Sequence, residues 1–373
     1  MTACRYETVP FDRAVRDSTG GNCKVQRKDY QTEGDTPVID QGQDFIAGYT
    51  DSSNAYHGPL PVVLFGDHTR AFKYVDFPFA LGADGVKVLE PLDGFDASFL
   101  HYYFRSIRLP NAGYSRHFKF LKEVSVPQPS VPEQRRIVDI LSRAEGIVRL
   151  RREAQKKAAE LIPALFLDMF GDPATNPKGW PTAPLGELCD VKGGGTPSKQ
   201  NPDFWVGKIP WVSPKDMSGV DIVDDAQDHI SSDAVRNSAT NIVPVGSILI
   251  VTRSGVLKHT IPCAITSREV AINQDIKAFV PHEAIAPHFL LSQIQIRAEE
   301  ILGLVRVGAT VQNIETDALK RIRFVCPSLD AQVKFSQKCE QIRTIQSQQS
   351  AATAKAKATF AALLAQVFPA GAC

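Results

Sequence analysis

Two stretches of the chain carry apolar residues at alternating steps of four and three. From Ile137 the steps reach Leu141, Ala144, Val148, Arg151, Gln155, Ala158, Ile162, Leu165 and Met169. From Phe335 they reach Cys339, Ile342, Gln346, Gln349, Thr353, Ala356, Phe360, Leu363 and Val367. A step averaging about 3.5 residues is the seam of a left-handed coiled coil. Each stretch follows a Pro-Ser pair, Pro129-Ser130 or Pro327-Ser328, and the two align at an offset of 198 residues without a gap, so that Gln134 meets Gln332 and Ile147 meets Ile345. The pattern reads as an internal duplication. Two unrelated amphipathic helices are the alternative, and the shared register weighs against it. The residues expected to form the seam are Ile137, Leu141, Val148, Ile162 and Leu165 on one helix, and Phe335, Ile342, Phe360 and Leu363 on the other. Both seams turn polar midway, at Arg151 and Gln155 and at Gln346, Gln349 and Thr353. Each helix spans roughly 35 residues and about 50–55 Å, which suits a spacer. Pro163 should kink or break the first one.

Ahead of each helix lies a region of mixed strand and turn character. Leu64-Phe65-Gly66-Asp67-His68-Thr69-Arg70 pairs with Ile248-Leu249-Ile250-Val251-Thr252-Arg253; in both, an apolar strand runs into a polar turn carrying Thr and Arg. Ala80–Lys87 pairs with Ala271–Lys277, and Phe99-Leu100 and Phe289-Leu290 each begin a short helix. The fold class expected is α+β, with two mixed globules separated by two long helices that pair antiparallel, giving a pseudo-twofold molecule. The segments are 1–128, 129–172, 173–326 and 327–373: globule, helix, globule, helix.

The length of 373 residues leads to an expectation of two domains, and 43% hydrophobic with 22% charged residues is ordinary globular composition. The net charge of +1 excludes binding to nucleic acid by bulk charge, but not a local basic face. Residues 105–157 hold thirteen Arg or Lys against five Asp or Glu, whereas residues 200–240 hold three against seven. The basic stretch reads as a phosphate-contacting belt or as a solvated, self-paired helix face. The seven cysteines are scattered and include no C-x-x-C pair, the usage of a reduced, cytoplasmic protein. The start of the chain lacks a basic-then-apolar signal pattern, and no apolar run reaches membrane-span length. Gly193-Gly194-Gly195-Thr196-Pro197-Ser198-Lys199 looks like a phosphate cradle but breaks the spacing of a nucleotide loop. Asn201-Pro202-Asp203-Phe204 falls one proline short of an amino-methyltransferase tetrapeptide. With no zincin, serine-hydrolase or helicase motif, no catalytic residue and no metal ligand is assigned.

The second globule has Pro184-Leu185-Gly186-Glu187-Leu188, Gly195-Thr196-Pro197-Ser198, Gly207-Lys208-Ile209-Pro210-Trp211-Val212 with Asp216, and Val245-Gly246-Ser247-Ile248-Leu249-Ile250 followed by Arg253. This succession resembles the target recognition domain of the specificity subunit of type I restriction-modification enzymes. The start of the first helix, Pro132-Glu133-Gln134-Arg135-Arg136-Ile137, is similar to the start of that family's conserved helical region. The first globule, with Pro37–Gly42 and Phe65–Arg70, resembles another class of the same domain, without the Gly-Thr-Pro-Ser and Ile-Pro-Trp signatures. The second helix has Ala331-Gln332 where the first has Glu133-Gln134. The resemblance covers essentially the whole chain. It implies a non-catalytic subunit that binds a bipartite site on double-stranded DNA. It also implies two modification subunits that methylate adenine with S-adenosylmethionine, which this chain does not bind, and restriction subunits that translocate and cut.

A duplicated reader on a helical spacer independently suits a split DNA target, because adjacent major-groove faces lie about 34–36 Å apart. Loop residues able to meet base edges are Gln41, Gln43, His68, Thr69, Arg70 and Lys73 in the first globule. In the second they are Thr196, Lys199, Lys215, Arg253, Lys258, Asn273 and Gln274, with Arg70 and Arg253 the strongest because each ends an apolar strand in a polar turn. Arg116, Lys119, Arg151 and Arg152 are the expected phosphate contacts. A coiled-coil scaffold that assembles protein partners without touching DNA fits the helices equally well. A self-sufficient methyltransferase or nuclease conflicts with the missing motifs.

Overall fold

The structure is a computed structural model that describes residues 6–51, 55–82, 85–110, 113, 115–307 and 311–369. Ala83 and Asp84 of the repeat, and the thiols of Cys4 and Cys373, lie outside the described residues. The chain forms two compact units, one from residues 1–154 and 350–373, the other from residues 155–349. The four segments drawn from the sequence thus gather into two units, and each unit takes in part of both long helices.

The first unit begins with β1 (Thr8–Pro10), the short turn α1 (Phe11–Ala14) and β2 (Val15–Asp17). Next come β3 (Thr36–Ile39), β4 (Gly48–Thr50), β5 (Val62–Gly66), β6 (Phe72–Val75), β7 (Ala80–Leu81) and β8 (Val86–Pro91). They are followed by α2 (Ala97–Ser106), α3 (Phe118–Leu121), β9 (Ser125–Pro127) and α4 (Val131–Ala159). One sheet has the order β2-β8-β5-β6 and is antiparallel; a second has the order β4-β3-β7; β1 and β9 pair at the base. β5 is buried on both faces, so it reads as a continuous apolar run rather than an alternation. Its side chains still divide with period two: Val63 and Phe65 join the core under α2, whereas Val62 and Leu64 face the core of the second sheet.

The second unit repeats this plan. It contains α5 (Leu161–Phe170), β10 (Thr182–Pro184), α6 (Leu185–Leu188), β11 (Cys189–Gly193), β12 (Ile209–Val212), β13 (Ile222–Val223), β14 (Asp228–Ile230) and α7 (Ser232–Arg236). β15 (Asn241–Val243), β16 (Ile248–Val251), β17 (Cys263–Thr266), β18 (Val270–Ile272), β19 (Ile276–Pro281) and α8 (Pro287–Ile296) follow. The remaining elements are α9 (Ala298–Leu302), the hairpin of β20 (Arg306–Val307) and β21 (Gln312–Asn313), α10 (Thr316–Arg321), β22 (Arg323–Val325) and α11 (Leu329–Val367). The sheets run β11-β19-β16-β17-β13 and β14-β12-β18-β15, with β10 paired to β22. These are the sheets of the first unit with one edge strand added to each. β16 divides as β5 does, Ile248 and Ile250 toward the helical core, Leu249 and Val251 toward the other sheet.

Both unit boundaries fall inside helices, at 154/155 in α4 and at 349/350 in α11. In the first unit Ile137 and Leu141 share a core with Phe360, Leu363, Val367 and Phe368, and the Phe368 ring lies 5.5 Å from Phe99 and 5.4 Å from Tyr103. In the second unit Ile162, Phe166 and Phe170 pack with Phe335, Cys339 and Ile342, and Phe166 lies 5.5 Å from Phe335. Within each unit the two helices therefore run antiparallel. Val148 and Ala158 are buried, but Arg151 and Gln155 are exposed, so the first seam leaves its expected register midway.

Pro163 acts as its chemistry requires. The first long helix is two helices, of 29 and 10 residues, broken at Glu160. The break leaves the carbonyl of Ala158 without its helical donor, and Gln346 Nε2 donates to it at 2.7 Å. A polar seam position is thereby accounted for as a helix cap.

A fully buried glutamine makes three backbone hydrogen bonds near the start of each long helix, Gln134 in one and Gln332 in the other. Gln134 Oε1 accepts from the backbone N–H of Asp96 at 2.8 Å, and its Nε2 donates to the carbonyls of Gly94 (2.7 Å) and Pro129 (2.9 Å). Gln332 accepts from Ala286 N–H at 2.8 Å and donates to the carbonyls of Ala284 (3.2 Å) and Pro327 (2.9 Å). Asp96 and Ala286 are the residues that precede α2 and α8. Each glutamine therefore fastens the start of a long helix to the start of its unit's short one.

Candidate nucleic-acid interface

Among the described residues no group of three or more His, Cys, Asp and Glu side chains could hold a metal ion. Burial pushes the thiols of Cys189 and Cys263 up to about 12, so neither is a thiolate nucleophile at neutral pH. The polar chemistry lies instead on the loops that follow the buried central strands.

In the first unit β5 and β6 are joined by Asp67–Arg70, closed by Gly66 N–H to Ala71 O at 2.8 Å and Arg70 N–H to Gly66 O at 2.7 Å. Arg70 has a φ of +60°, a left-handed conformation that glycine would adopt at lower cost. The loop 40–44 is fastened to this turn. Thr69 Oγ1 donates to Gln41 O, and His68 N–H donates to Gln41 Oε1 at 3.2 Å. Lys73, expected to reach DNA, is only 6% exposed, and its ammonium donates to the carbonyls of Asp40 and Asp44 at 2.8 and 2.5 Å. Desolvation lowers its pKa. Lys73, Gln41 and Thr69 thus shape the loop, whereas Gln43 and Arg70 stand exposed on it. They border a cleft of about 360 Å³ whose walls include Phe45, Phe72 and Arg105.

The same turn organises part of the basic belt. Asp67 Oδ1 accepts from Phe118 N–H at 2.7 Å, and its carbonyl accepts from His117 N–H at 2.9 Å. Arg116 and Lys119, both exposed, are therefore carried beside the β5–β6 turn. Lys87 and Lys122 lie over the Phe118 ring at 4.8 and 5.0 Å; Lys122 is counted in the basic belt, but neither is named as an individual contact from the sequence. Along α4 the belt is largely self-paired. Arg105 meets Glu145, Arg136 meets Glu133, Arg143 meets Asp139 and Arg149 meets Glu153. These pairs occupy four of the segment's five carboxylates. Arg151 and Arg152 are exposed on the same helix.

In the second unit the triple glycine is a packing device. A Cβ on Gly194 would sit 2.2 Å from Ile272 O, and one on Gly195 would sit 2.5 Å from the backbone of Ala239. Gly195 N–H donates to Ile272 O at 3.0 Å, and Trp211 Nε1 donates to Gly195 O at 3.0 Å. The loop is thus laid onto the turn 273–275, and Thr196 Oγ1 donates to Gln274 Oε1. Arg253 joins the same turn, with its N–H 3.2 Å from Asp275 O and its guanidinium 3.9 Å from the Asp275 carboxylate. Thr196, Arg253 and Gln274 are therefore brought together. Asn273 is buried and holds the turn by accepting from Asp275 N–H at 3.0 Å, so it is a loop-former rather than an exposed reader. Lys215 is apart from this group, paired with Asp228 at 2.8 Å. Lys199 and Lys258 are exposed on flanking turns. Asn313, missed in the sequence, pairs with Arg253 through an isolated β-bridge and adds an exposed amide to the group.

Comparison with known proteins places these loops in a family context. Residues 17–160 and 177–352 match the family described as Type I restriction modification DNA specificity domain, once in each half. The chain is 31% identical over 370 residues to the type I restriction enzyme EcoR124I/EcoR124II specificity subunit of Escherichia coli, covering 92% of this chain and 88% of that one. It is 26% identical over 163 residues to the MjaIX specificity subunit of Methanocaldococcus jannaschii, covering 43% of this chain and 37% of that one. The fold is similar to the type I restriction-modification S subunit from M. genitalium, with a TM-score of 0.61 at 14% identity over 99% of this chain and 97% of that one. A chain from a structural study of type I system assembly and conformational transition superposes with a TM-score of 0.57 at 19% identity, covering 99% and 98%. No helix among the described residues is long and apolar enough to cross a membrane.

Proposed function

The chain belongs to the type I restriction-modification DNA specificity family, and from that premise we propose that it is the non-catalytic subunit that selects a bipartite double-stranded DNA site in the cytoplasm. One observation carries this reading. Two units of one plan each end a doubly buried strand in an arginine-bearing turn, Arg70 and Arg253, yet surround that arginine with different side chains. Conserved architecture with divergent loops is what two readers of two different words require. The exposed cations Arg116, Lys119, Arg151 and Arg152 position the phosphate backbone without specifying sequence. Gln43, Arg70, Thr196, Lys199, Arg253, Lys258 and Gln274 are the candidate base contacts, with Lys215 as a further cation at the margin.

Two modification subunits would supply S-adenosylmethionine and methylate adenine at the selected site, and restriction subunits would add cleavage. The test is methylation mapping in a host that carries the partner methyltransferase, with and without this chain. A split motif that appears only with the chain is the expected result. Charge reversal at Arg253 should then alter one half of that motif. Loss of both halves together would refute independent readers, and a salt-insensitive complex that never binds DNA would mark the chain as a protein scaffold.

A further inference from the structure

The cleft of the first unit has the chemistry to read a particular kind of base step, an inference that rests on the DNA-selecting role proposed above. Three features converge there. Phe45 is 45% exposed, an unusual placement for a phenyl ring on a loop that is otherwise closely fastened. Its edge-on packing to Phe77 at 6.1 Å fixes the ring without covering it. Gln43 and Arg70 border the same cleft, and among the described residues neither side chain makes a hydrogen bond or an ion pair, so their donors and acceptors are unspent. Arg105, by contrast, is committed to Glu145 at 2.8 Å.

The supporting frame is rigid. The buried ammonium of Lys73 ties together the two ends of the loop that carries Gln43, and Thr69 ties its middle to the turn that carries Arg70. Arg70 also retains its side chain at a left-handed position where glycine would relieve the backbone. A residue kept against that cost, beside an uncovered ring and an uncommitted amide, indicates a surface shaped for a ligand rather than for the fold.

We propose that Gln43, Phe45 and Arg70 form the base-reading surface of the first unit, and that it takes a thymine–adenine pair beside a guanine. The exposed phenyl ring packs on the thymine C5-methyl, the Gln43 amide meets adenine N6 and N7, and the Arg70 guanidinium meets guanine O6 and N7. The second unit, where Thr196, Gln274 and Arg253 gather without an exposed ring among them, reads by hydrogen bonds.

The experiment uses the whole complex with its methyltransferase subunits and duplexes carrying the mapped wild-type target. Each thymine of the first half is replaced in turn by deoxyuridine, which removes only the methyl group. One replacement should weaken wild-type binding about fourfold, the worth of one buried methyl. That penalty should vanish in Phe45→Ala and persist in Phe45→Leu. Arg70→Ala should lose roughly 5- to 150-fold, the range for a bidentate base contact, and 7-deazaguanine at the neighbouring position should add no further loss in that variant. Arg70→Gly should bind as poorly while hydrogen exchange across residues 66–72 becomes no faster than in wild type, separating recognition from folding. A wild-type target with no thymine-sensitive position, or a Phe45→Ala loss that simply adds to the methyl loss, overturns this assignment and leaves the DNA-selecting role intact. Absence of any wild-type target overturns both.

Discussion

Replacing Gln134 by Leu isolates the clamp that joins α4 to the head of α2. The substituted side chain fits the space but leaves three backbone groups unpaired: Asp96 N–H, Gly94 O and Pro129 O, held at 2.7–2.9 Å in the native protein. Gln134 is fully buried, so water does not replace it without local opening. Each orphaned buried group costs about 1–3 kcal/mol, and partial relaxation brings the sum to roughly 4 kcal/mol. A chain of two units does not unfold in one step, so a single melting temperature is the wrong measurement. Hydrogen exchange read by mass spectrometry gives each unit separately. Gln134→Leu should cut protection of peptides spanning residues 94–104 by about 10³-fold, the equivalent of that energy, and leave peptides spanning 284–294 unchanged. Gln332→Leu should produce the mirror image, because its three bonds are the same bonds in the other unit. A loss below threefold, or equal losses in both units, would refute the idea that these glutamines are local clamps.

Other substitutions test other joints. Gln346→Leu uncaps Ala158 O and should loosen the break between α4 and α5 by about 1–2 kcal/mol, seen as faster exchange at residues 158–162. Gly194→Ala places a methyl group 2.2 Å from Ile272 O, which the backbone cannot yield without moving the loop; methylation assays should show the second half-site lost and the first retained. His101 gives a pH signature. Burial, reinforced by the neighbouring Arg105, pushes its pKa down to about 4, so the folded protein keeps it neutral while the unfolded chain takes up a proton near its ordinary value of 6.5. Stability should therefore fall as pH drops from about 6.5 toward 4, by at most about 3 kcal/mol, and His101→Asn should flatten that slope in urea titrations.

The long helices were legible because their information is local and periodic: Ile137, Leu141, Phe335 and Phe360 all lie on the apolar face that the three-and-four spacing predicts. Pro163 marked the break for an equally local reason. The repeat of the globules was visible at Leu64–Arg70 and Ile248–Arg253, since a doubly buried strand writes a short apolar run that loops cannot disguise. Loop chemistry was harder to read. Lys73 and Asn273 looked like readers because lysine and asparagine are usually exposed, and only their place beneath a neighbouring loop makes them structural. Gly194 and Gly195 suggested an open cradle, whereas the backbone they accommodate belongs to residues tens of positions later in the chain. Asn313 reached the Arg253 group through a hairpin that carries no distinctive sequence. Such long-range neighbours are set by tertiary packing, which spacing does not encode.

The boundaries at 154/155 and 349/350 give the two units different histories on the ribosome. The second is one uninterrupted stretch and can finish folding while synthesis is still under way. The first waits: Phe360, Leu363 and Phe368 fill its core, so its opening residues emerge well before the side chains that complete them. A nascent chain halted near residue 350 would hold one finished reader and one hollow one, with Phe99 and Tyr103 open to solvent where Phe368 belongs. Commitment to a working pair of readers is thus deferred to the final moments of translation, and a truncated product announces itself by exposed aromatic surface.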